Sequence, residues 1–289
     1  MSVKKNFIIL LLLVILFGIT GCKNNNDNNT ETLLKQKADE EIQYLDTTLT
    51  SLANKINNIS FETYYVATEK VKLNSTLQSS SNSTQNDKNN SSKENNNESS
   101  QDITVSKMKS KNVLLGDRND IDWDSIKTTT ENLYSTWNTI LIDLYKLGAN
   151  NDDILKFSSN LDEMIMNIKQ EKKAESLISI TNLYDIIPVF MDAYSDQRTN
   201  INLKWTKAHI LKAYSLINRG DWNNIASEID QAEQAYNAVL TDINFVNQKS
   251  YNSNKTYVAL KELQNSIAVN DIDIFYIKYK NFMEEITLL

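Results

Sequence analysis

The chain has 289 residues, with 30 basic against 37 acidic side chains and a formal net charge of −7. An acidic chain is a poor candidate for binding nucleic acid or an anionic lipid surface, because both attract clustered lysine and arginine. Five glycines and one proline are too few to punctuate a many-stranded sheet, which needs a turn roughly every 8 to 12 residues. The composition therefore predicts an all-α protein that has no nucleic-acid partner.

The amino terminus has the pattern of a secretory signal peptide. Lys4 and Lys5 give it a positive start, and the segment from Phe7 to Phe17 is an unbroken apolar run of eleven residues. This run is too short for a transmembrane helix, which needs about 20 apolar residues. It fits the apolar core of a signal peptide, which is roughly 7 to 15 residues long.

The apolar run is followed by Ile19-Thr20-Gly21-Cys22, which resembles the lipobox of bacterial lipoproteins. The resemblance implies that residues 1–21 are removed and that the thiol of Cys22 carries a diacylglyceryl group, with further acylation of the new amino terminus. Two or three acyl chains anchor a protein durably, because each buried methylene contributes about 0.8 kcal/mol. We therefore expect a lipoprotein attached to the extracytoplasmic face of the cell membrane through its amino-terminal lipid.

The expected cleavage before Cys22 and the lipidation of its thiol change the net charge of the chain and leave it without a free thiol. Loss of Lys4 and Lys5 leaves 28 basic residues against 37 acidic ones, a net charge of −9. Because Cys22 is the only cysteine, the mature chain has no thiol for a disulfide, a metal site or nucleophilic catalysis. We predict that residues 22–30, which end in an asparagine-rich run, form a polar tether.

Six segments place apolar residues at alternating steps of three and four, the spacing of the buried stripe of an amphipathic helix. The first segment predicts one long amphipathic helix over residues 31–73, and the others predict a helical domain over residues 103–289. Glycine stops at Gly148 and Gly220 and a weaker turn near Asp271 predict short connections between antiparallel helices. The stripes are Ile42, Leu45, Leu49, Leu52, Ile56 and Ile59; Trp123, Ile126, Thr130, Leu133, Trp137, Ile140, Leu144 and Leu147; Ile154, Phe157, Leu161, Met164 and Ile168; Leu177, Ile180, Tyr184, Ile187, Met191 and Tyr194; Trp222, Ile225, Ile229, Ala232, Tyr236, Val239 and Ile243; and Ile272, Phe275, Tyr279, Phe282 and Ile286.

An asparagine- and serine-rich segment separates the first stripe from the second. Residues 74–102 contain one apolar residue, Leu77. Such a segment cannot bury enough surface to offset the entropy of ordering, so we predict a disordered insertion. Residues 103–120 carry no clear pattern beyond "DITVSKM", which could form a short extended piece.

The stretch "LINRGDWNNIASEIDQAEQAY" resembles a single tetratricopeptide hairpin. A true array would recur about every 34 residues. The turns at Gly148, Gly220 and Asn270 are instead 72 and 50 residues apart. We therefore predict an antiparallel helical bundle or an irregular stack of unequal helical hairpins.

The sequence offers no constellation typical of catalysis, a metal or a cofactor. His209 is the only histidine, and its neighbours one helical turn away include no second metal ligand. Paired carboxylates such as Asp152-Asp153 point about 100° apart on a helix and do not converge on one substrate atom. We expect no enzyme, no cofactor and no metal, although a carboxylate site assembled from distant helices stays open.

Aromatic residues are the remaining candidates for a functional surface. Tryptophan and tyrosine stripes usually lie in the core, but they also line binding grooves. Pro188 either starts a second short helix or kinks one long helix and opens a gap beside Tyr184 and Phe190. The residues selected as possible ligand or partner contacts are Trp205, Trp222, Tyr184 and Phe190.

Two function classes follow from these features. The first is a non-enzymatic interaction or scaffolding protein of the cell envelope with a protein partner. The second is a ligand-binding lipoprotein that serves uptake or sensing through a pocket lined by tryptophan and tyrosine. Richness in asparagine, lysine and isoleucine makes the chain resemble all-helical lipoproteins of low-GC Gram-positive bacteria, and this resemblance implies no mechanism. A cavity with convergent polar groups would favour the ligand binder, and an exposed apolar patch would favour the partner protein.

Overall fold

A computed structural model describes residues 25–59 and 120–289. Within these two ranges every regular element is helical and there is no strand, which confirms the all-α prediction. Two of the helices continue into short 3-10 turns, Ile217–Arg219 and Ile267–Val269. The α-helices are α1 (Asn25–Ile56), α2 (Trp123–Lys146), α3 (Asn151–Lys169), α4 (Lys173–Tyr184), α5 (Ile187–Tyr194), α6 (Arg198–Leu216), α7 (Trp222–Leu240), α8 (Ile243–Gln248), α9 (Ser250–Ser266) and α10 (Ile272–Ile286).

Helices α1 and α6 organise the bundle. Helix α1 packs against α2, α4, α5 and α6, whereas α6 packs against α4, α5, α7 and α10 as well. The most extensive contact joins α6 to α7, and the hairpin of α9 and α10 rests against this pair. The result is one continuous apolar core that reaches from α1 to the last helix.

The predicted apolar stripes form most of this core. Every member of the stripes on α1, on α3 and on α4 with α5 is buried. Two members of the other stripes are exposed, Ile243 at 72% and Ile272 at 38%. Ile243 is exposed because α7 ends at Leu240 and Ile243 opens the short helix α8. The predicted stripe of α7 therefore extends one turn beyond the end of the helix at Leu240.

The first helix differs from the predicted span of residues 31–73. It begins at Asn25, inside the predicted tether, and ends at Ile56. Asn58 adopts a left-handed conformation with φ 52°, and the backbone N–H of Ile59 donates to the carbonyl of Asn54 at 2.9 Å. This pattern closes a helix, because it satisfies carbonyls that the last turn leaves free.

Several predictions fall outside the described residues. The signal peptide and the lipidated Cys22 precede residue 25, and the insertion over 74–102 and the segment over 103–119 lie between the two described ranges. The structure does not test these predictions.

The hairpins α6–α7 and α9–α10 are closed by the same local structure. In each, a 3-10 turn leads into a left-handed residue, Gly220 with φ 65° or Asn270 with φ 53°. An aspartate follows, Asp221 or Asp271, whose carboxylate accepts a hydrogen bond from the backbone N–H three residues later. Such a cap satisfies one of the free donors of the next helix. The structure thus places helical hairpins at both of these predicted turns.

Pro188 breaks the chain into two helices. Helix α4 ends at Tyr184, and α5 begins at Ile187 with Pro188 in its first turn. The missing N–H of proline is harmless in a first turn, because that donor has no partner within the helix. Of the two interpretations of this stretch, the one with two shorter helices is correct.

The change Pro188→Ala should therefore alter the free energy of unfolding by less than about 1 kcal/mol. Urea denaturation followed by circular dichroism measures this change. Gly220→Ala is the control, because its φ of 65° penalises a side chain by about 1 kcal/mol, and it shows that the assay resolves such a loss. A gain well above 1 kcal/mol for Pro188→Ala would contradict the two-helix interpretation.

Candidate functional site

A groove of about 660 Å³ lies between α1, α6 and α10. Its polar side is built by α1 and α6, whereas α5, α6 and α10 contribute apolar side chains. The polar lining includes Asp39, Gln43, Asp46, Thr50, Asn54, Asn200, Lys204 and Lys207, and the apolar lining includes Met191, Leu203, Met283 and Ile286.

The polar lining arises from a second stripe on each of the two helices. On α1, polar residues recur every three or four positions beside the buried apolar stripe, so they share one face of the helix. On α6 the same spacing joins Asn200, Lys204 and Lys207. The two polar stripes face each other, since the ammonium of Lys204 donates to the side chain of Gln43 at 3.3 Å and to Asp46.

Asp46 is the centre of a charged cluster at the base of the groove. Its side chain is 4% exposed and pairs with the ammonium groups of Lys204 and Lys207. The same carboxylate accepts hydrogen bonds from the hydroxyl of Tyr184 at 2.7 Å and of Thr50 at 3.3 Å. Burial alone would raise the pKa of Asp46, but the two lysines more than offset it, so this pKa lies below its ordinary value. The cluster therefore holds Asp46 ionised.

The partners of Asp46 are themselves partly withdrawn from water. The side chains of Lys204 and Lys207 are 16% and 12% exposed. Burial lowers the pKa of Lys207, and the charge of Asp46 opposes this effect. The ammonium of Lys207 also lies 5.7 Å from the ring centroid of Tyr184, within the range of a cation–π contact. The two cations thus lie between the core and the open groove.

The groove carries a net positive side-chain charge in an acidic protein. Its charged lining residues are Asp39, Asp46, Lys55, Lys204 and Lys207, three cations against two anions. Asp39 accepts a hydrogen bond from Tyr194 at 2.9 Å. Lys55 contacts hydroxyl groups of α2 at 3.1 and 3.2 Å. At the Asp46 cluster, two ammonium groups meet one carboxylate, so this cluster carries one excess positive charge, and Lys55 is a further cation of the lining.

A second polar cluster joins α4, α6 and α7. The Nδ1 of His209 lies 2.8 Å from Glu228, and Lys212 lies 3.2 Å from Glu228 and 3.7 Å from Asp185. Burial would raise the pKa of Glu228, but hydrogen bonds from His209 and Lys212 bring it below its ordinary value. In the part of the chain that the structure describes, no three His, Cys, Asp or Glu side chains are placed to hold a metal ion. This cluster is an internally paired network that fixes the three helices.

None of the four predicted contact residues is part of the groove lining. Tyr184 and Phe190 are 0% and 1% exposed, so neither presents surface to a partner in this conformation. Trp205 and Trp222 are partly buried. The ring of Trp205 stacks on His209 at 6.0 Å and that of Trp222 meets Phe275 edge to face at 6.4 Å. A contact between either tryptophan and a partner stays a prediction.

Comparisons with known proteins give no relative whose function could be compared with this site. No family model, no curated protein and no solved structure matches the chain. Among the helices of residues 25–59 and 120–289, none is long and apolar enough to cross a membrane.

Removal of the Tyr184 hydroxyl tests the strength of the Asp46 cluster. Tyr184→Phe should lower the free energy of unfolding by about 2 kcal/mol, because the lost hydrogen bond has a charged acceptor. Tyr279→Phe is the matched control, since this buried hydroxyl donates to the neutral side chain of Asn54 at 2.9 Å, and its loss should cost about 1 kcal/mol. Urea denaturation measures both variants. An equal or smaller loss for Tyr184→Phe would show that Asp46 does not carry the expected charge.

Proposed function

We propose that this protein is a lipid-anchored extracytoplasmic binding protein that holds a small ligand in the groove between α1, α6 and α10, in the service of uptake or sensing. The observation that carries the proposal is the cluster of Asp46, Lys204 and Lys207 at the base of an open cavity of about 660 Å³. Ligand sites usually have volumes of about 300–1,000 Å³ and combine apolar walls with a few convergent polar groups.

Stability alone is a weak reason for such a cluster. A buried group of ion pairs can often be replaced by apolar residues with no loss of stability, or with a gain, because desolvation offsets much of the attraction. The Asp46 cluster also lies at the floor of an opening, where its lysines keep some contact with solvent. A role in ligand binding explains both the desolvation cost of the Asp46 cluster and its position at the floor of the groove.

Methionine methyl groups provide a local test of the groove. Met191 and Met283 line it, whereas Met166 on α3 is 56% exposed and is not part of the lining. In the full chain labelled with ¹³C at methionine methyls, a fragment library of anionic, cationic and neutral compounds should contain ligands that shift Met191 and Met283 and leave Met166 unchanged.

A variant that fills the groove completes this experiment. Leu203→Trp adds volume at the groove wall and should abolish the shifts caused by those ligands. If no compound in the library shifts Met191 or Met283, or if all active compounds shift Met166 equally, the groove is not a ligand site.

A second candidate is an interaction or scaffolding protein with a partner in the cell envelope. Tyr134 and Tyr145 on α2 are exposed and lie three helical turns apart on one face. Leu155 and Met166 on α3 have the same spacing and are also exposed. Helices α2 and α3 pack together, and each offers exposed apolar side chains to a partner.

Photo-cross-linking in cells distinguishes this candidate. A photoreactive residue at position 145 should give one dominant cross-linked envelope protein, and Leu155→Lys should remove that product. The same residue at exposed Glu262 on α9 is the control. Cross-linking at 145 that does not exceed the level at 262 would eliminate the candidate.

A further inference from the structure

Resting on the proposed function, we propose that the groove ligand carries a carboxylate that binds Lys204 and Lys207, with an apolar portion that packs against Met191, Leu203, Met283 and Ile286.

The floor of the groove, formed by Asp46, Lys204 and Lys207, carries an excess positive charge. Two ammonium groups share the single carboxylate of Asp46, which leaves one excess positive charge where the lysine side chains are 16% and 12% exposed. A cation that is partly withdrawn from water is stabilised by an opposite charge nearby. One carboxylate would bring the floor to neutrality, whereas a phosphate dianion would leave it negative.

The two lysines of the floor have N–H donors that Asp46 and Gln43 do not use. An ammonium group has three N–H donors. Within the described residues, the ammonium of Lys207 donates to Asp46, and that of Lys204 donates to Asp46 and Gln43. Each lysine thus keeps at least one donor for the oxygen atoms of a ligand, and both lysines line the groove.

An apolar wall lines the same groove as this charged floor. Met283 and Ile286 from α10, Met191 from α5 and Leu203 from α6 present apolar atoms to the same cavity. Such a wall offers nothing to a small inorganic anion, but it can bury the hydrocarbon portion of an organic acid, at about 25 cal/mol for each Å² removed from water. A positively charged floor beside an apolar wall favours a ligand that has one negative charge and a hydrocarbon portion.

Three probes separate charge from shape. The compound 4-methylpentanoate has a carboxylate and a branched hydrocarbon, 4-methylpentanamide keeps the shape without the charge, and inorganic phosphate has charge without hydrocarbon. Titrated into the full chain labelled at methionine methyls, 4-methylpentanoate should shift Met191 and Met283 and bind at least about tenfold more tightly than the amide, because a hydrogen bond to a charged group contributes more than a neutral one. Phosphate should shift neither methyl.

Variants then assign the charge effect to the proposed residues. Lys207→Met should weaken 4-methylpentanoate binding about tenfold and leave amide binding unchanged, and Lys207→Arg should retain most of the affinity. Lys55→Met is the matched control, because it removes one cation of the groove lining away from Asp46 and should have little effect. Circular dichroism verifies folding, and Lys204→Met takes the place of Lys207→Met if that variant does not fold.

The outcomes distinguish this inference from the proposed function. If neutral or cationic fragments shift Met191 and Met283 while 4-methylpentanoate does not, or if the amide binds within twofold of the carboxylate, the inference is wrong and the groove is still a ligand site. Equal losses from Lys207→Met and Lys55→Met would also overturn it, because they would indicate a general charge effect. If no compound of any charge shifts either methyl, the proposed function fails.

Discussion

Asp46→Leu is expected to lower the free energy of unfolding by about 3–5 kcal/mol, because it leaves two largely buried lysines without their shared counter-ion. The side chains of Lys204 and Lys207 are 16% and 12% exposed, so water replaces the lost carboxylate only in part. Urea denaturation of the variant and of the unmodified chain measures the loss.

Asp143 provides a matched control for this prediction. Its carboxylate also pairs with two lysines and its side chain is only 7% exposed, but Lys37 and Lys146 are 51% and 55% exposed. Those lysines can turn into solvent when the carboxylate is removed, so Asp143→Leu should cost less than about 1 kcal/mol. Equal losses for the two variants would show that burial of the lysines is not the cause.

A triple variant tests whether the unpaired lysines cause the loss of stability. Replacing Lys204 and Lys207 by methionine in the Asp46→Leu background removes all three charges and keeps most of the side-chain volume. Apolar replacement of a complete buried ion cluster is often neutral or stabilising. The triple variant should therefore recover most of the stability that Asp46→Leu loses, and a further loss would show that the cluster stabilises the fold by itself.

The pH dependence of the Asp46 effect has a definite sign. The folded-state pKa of Asp46 lies below the ordinary value of 3.8, so the folded state binds its proton less readily than the unfolded state does. The stability contributed by this group is complete above the ordinary pKa and disappears as the pH falls through the folded pKa. The difference between the unmodified chain and Asp46→Leu should stay constant from about pH 8 to pH 5 and shrink below about pH 4.

Helices whose apolar residues lie on one face were predictable from the sequence, and helices buried on several faces were not. Every stripe residue on α3 is buried as predicted, because α3 is a surface helix with one inward face. No stripe was identified on α6, which packs against five other helices and buries residues around much of its circumference, such as Ile201, Ala208 and Tyr214. Its period is hidden because more than one face is apolar.

Helix α9 was missed for a different reason. Its inward positions begin with Ser253 and Thr256 before they reach Leu260 and Leu263. The carbonyl of Ser253 accepts a hydrogen bond from Tyr236 at 2.9 Å, so the first two turns of α9 meet α7 partly through polar groups. A search for apolar spacing alone cannot identify such a face.

The groove was not predicted, although part of its signal is visible in the sequence. Lys204 and Lys207 lie 158 and 161 positions from Asp46, and no local pattern encodes a pairing at that distance. The polar residues of α1 that recur every three or four positions beside its apolar stripe were a detectable sign of a second buried face. The predicted contacts were aromatic side chains instead, and one of them, Tyr184, donates its hydroxyl group to Asp46 from within the core.

The change Cys22→Ala is expected to abolish lipid attachment completely and to leave the precursor uncut before residue 22. The reason is chemical: the thiol of the only cysteine is the sole atom to which the expected diacylglyceryl group can be attached, and the resemblance to lipoproteins implies that cleavage follows this modification. Intact-mass spectrometry of the protein from membranes should show a mature amino terminus at Cys22 that carries the mass of its acyl chains, and the variant should keep residues 1–21.

Lys23→Ala is the matched control, because it changes the neighbouring residue and leaves Ile19-Thr20-Gly21-Cys22 intact. Membrane retention should follow the lipid, since two or more acyl chains hold a protein far more firmly than one. An unmodified Cys22 in the native protein would remove the basis for the proposed extracytoplasmic location, and it would leave the binding proposal for the groove to be tested by itself.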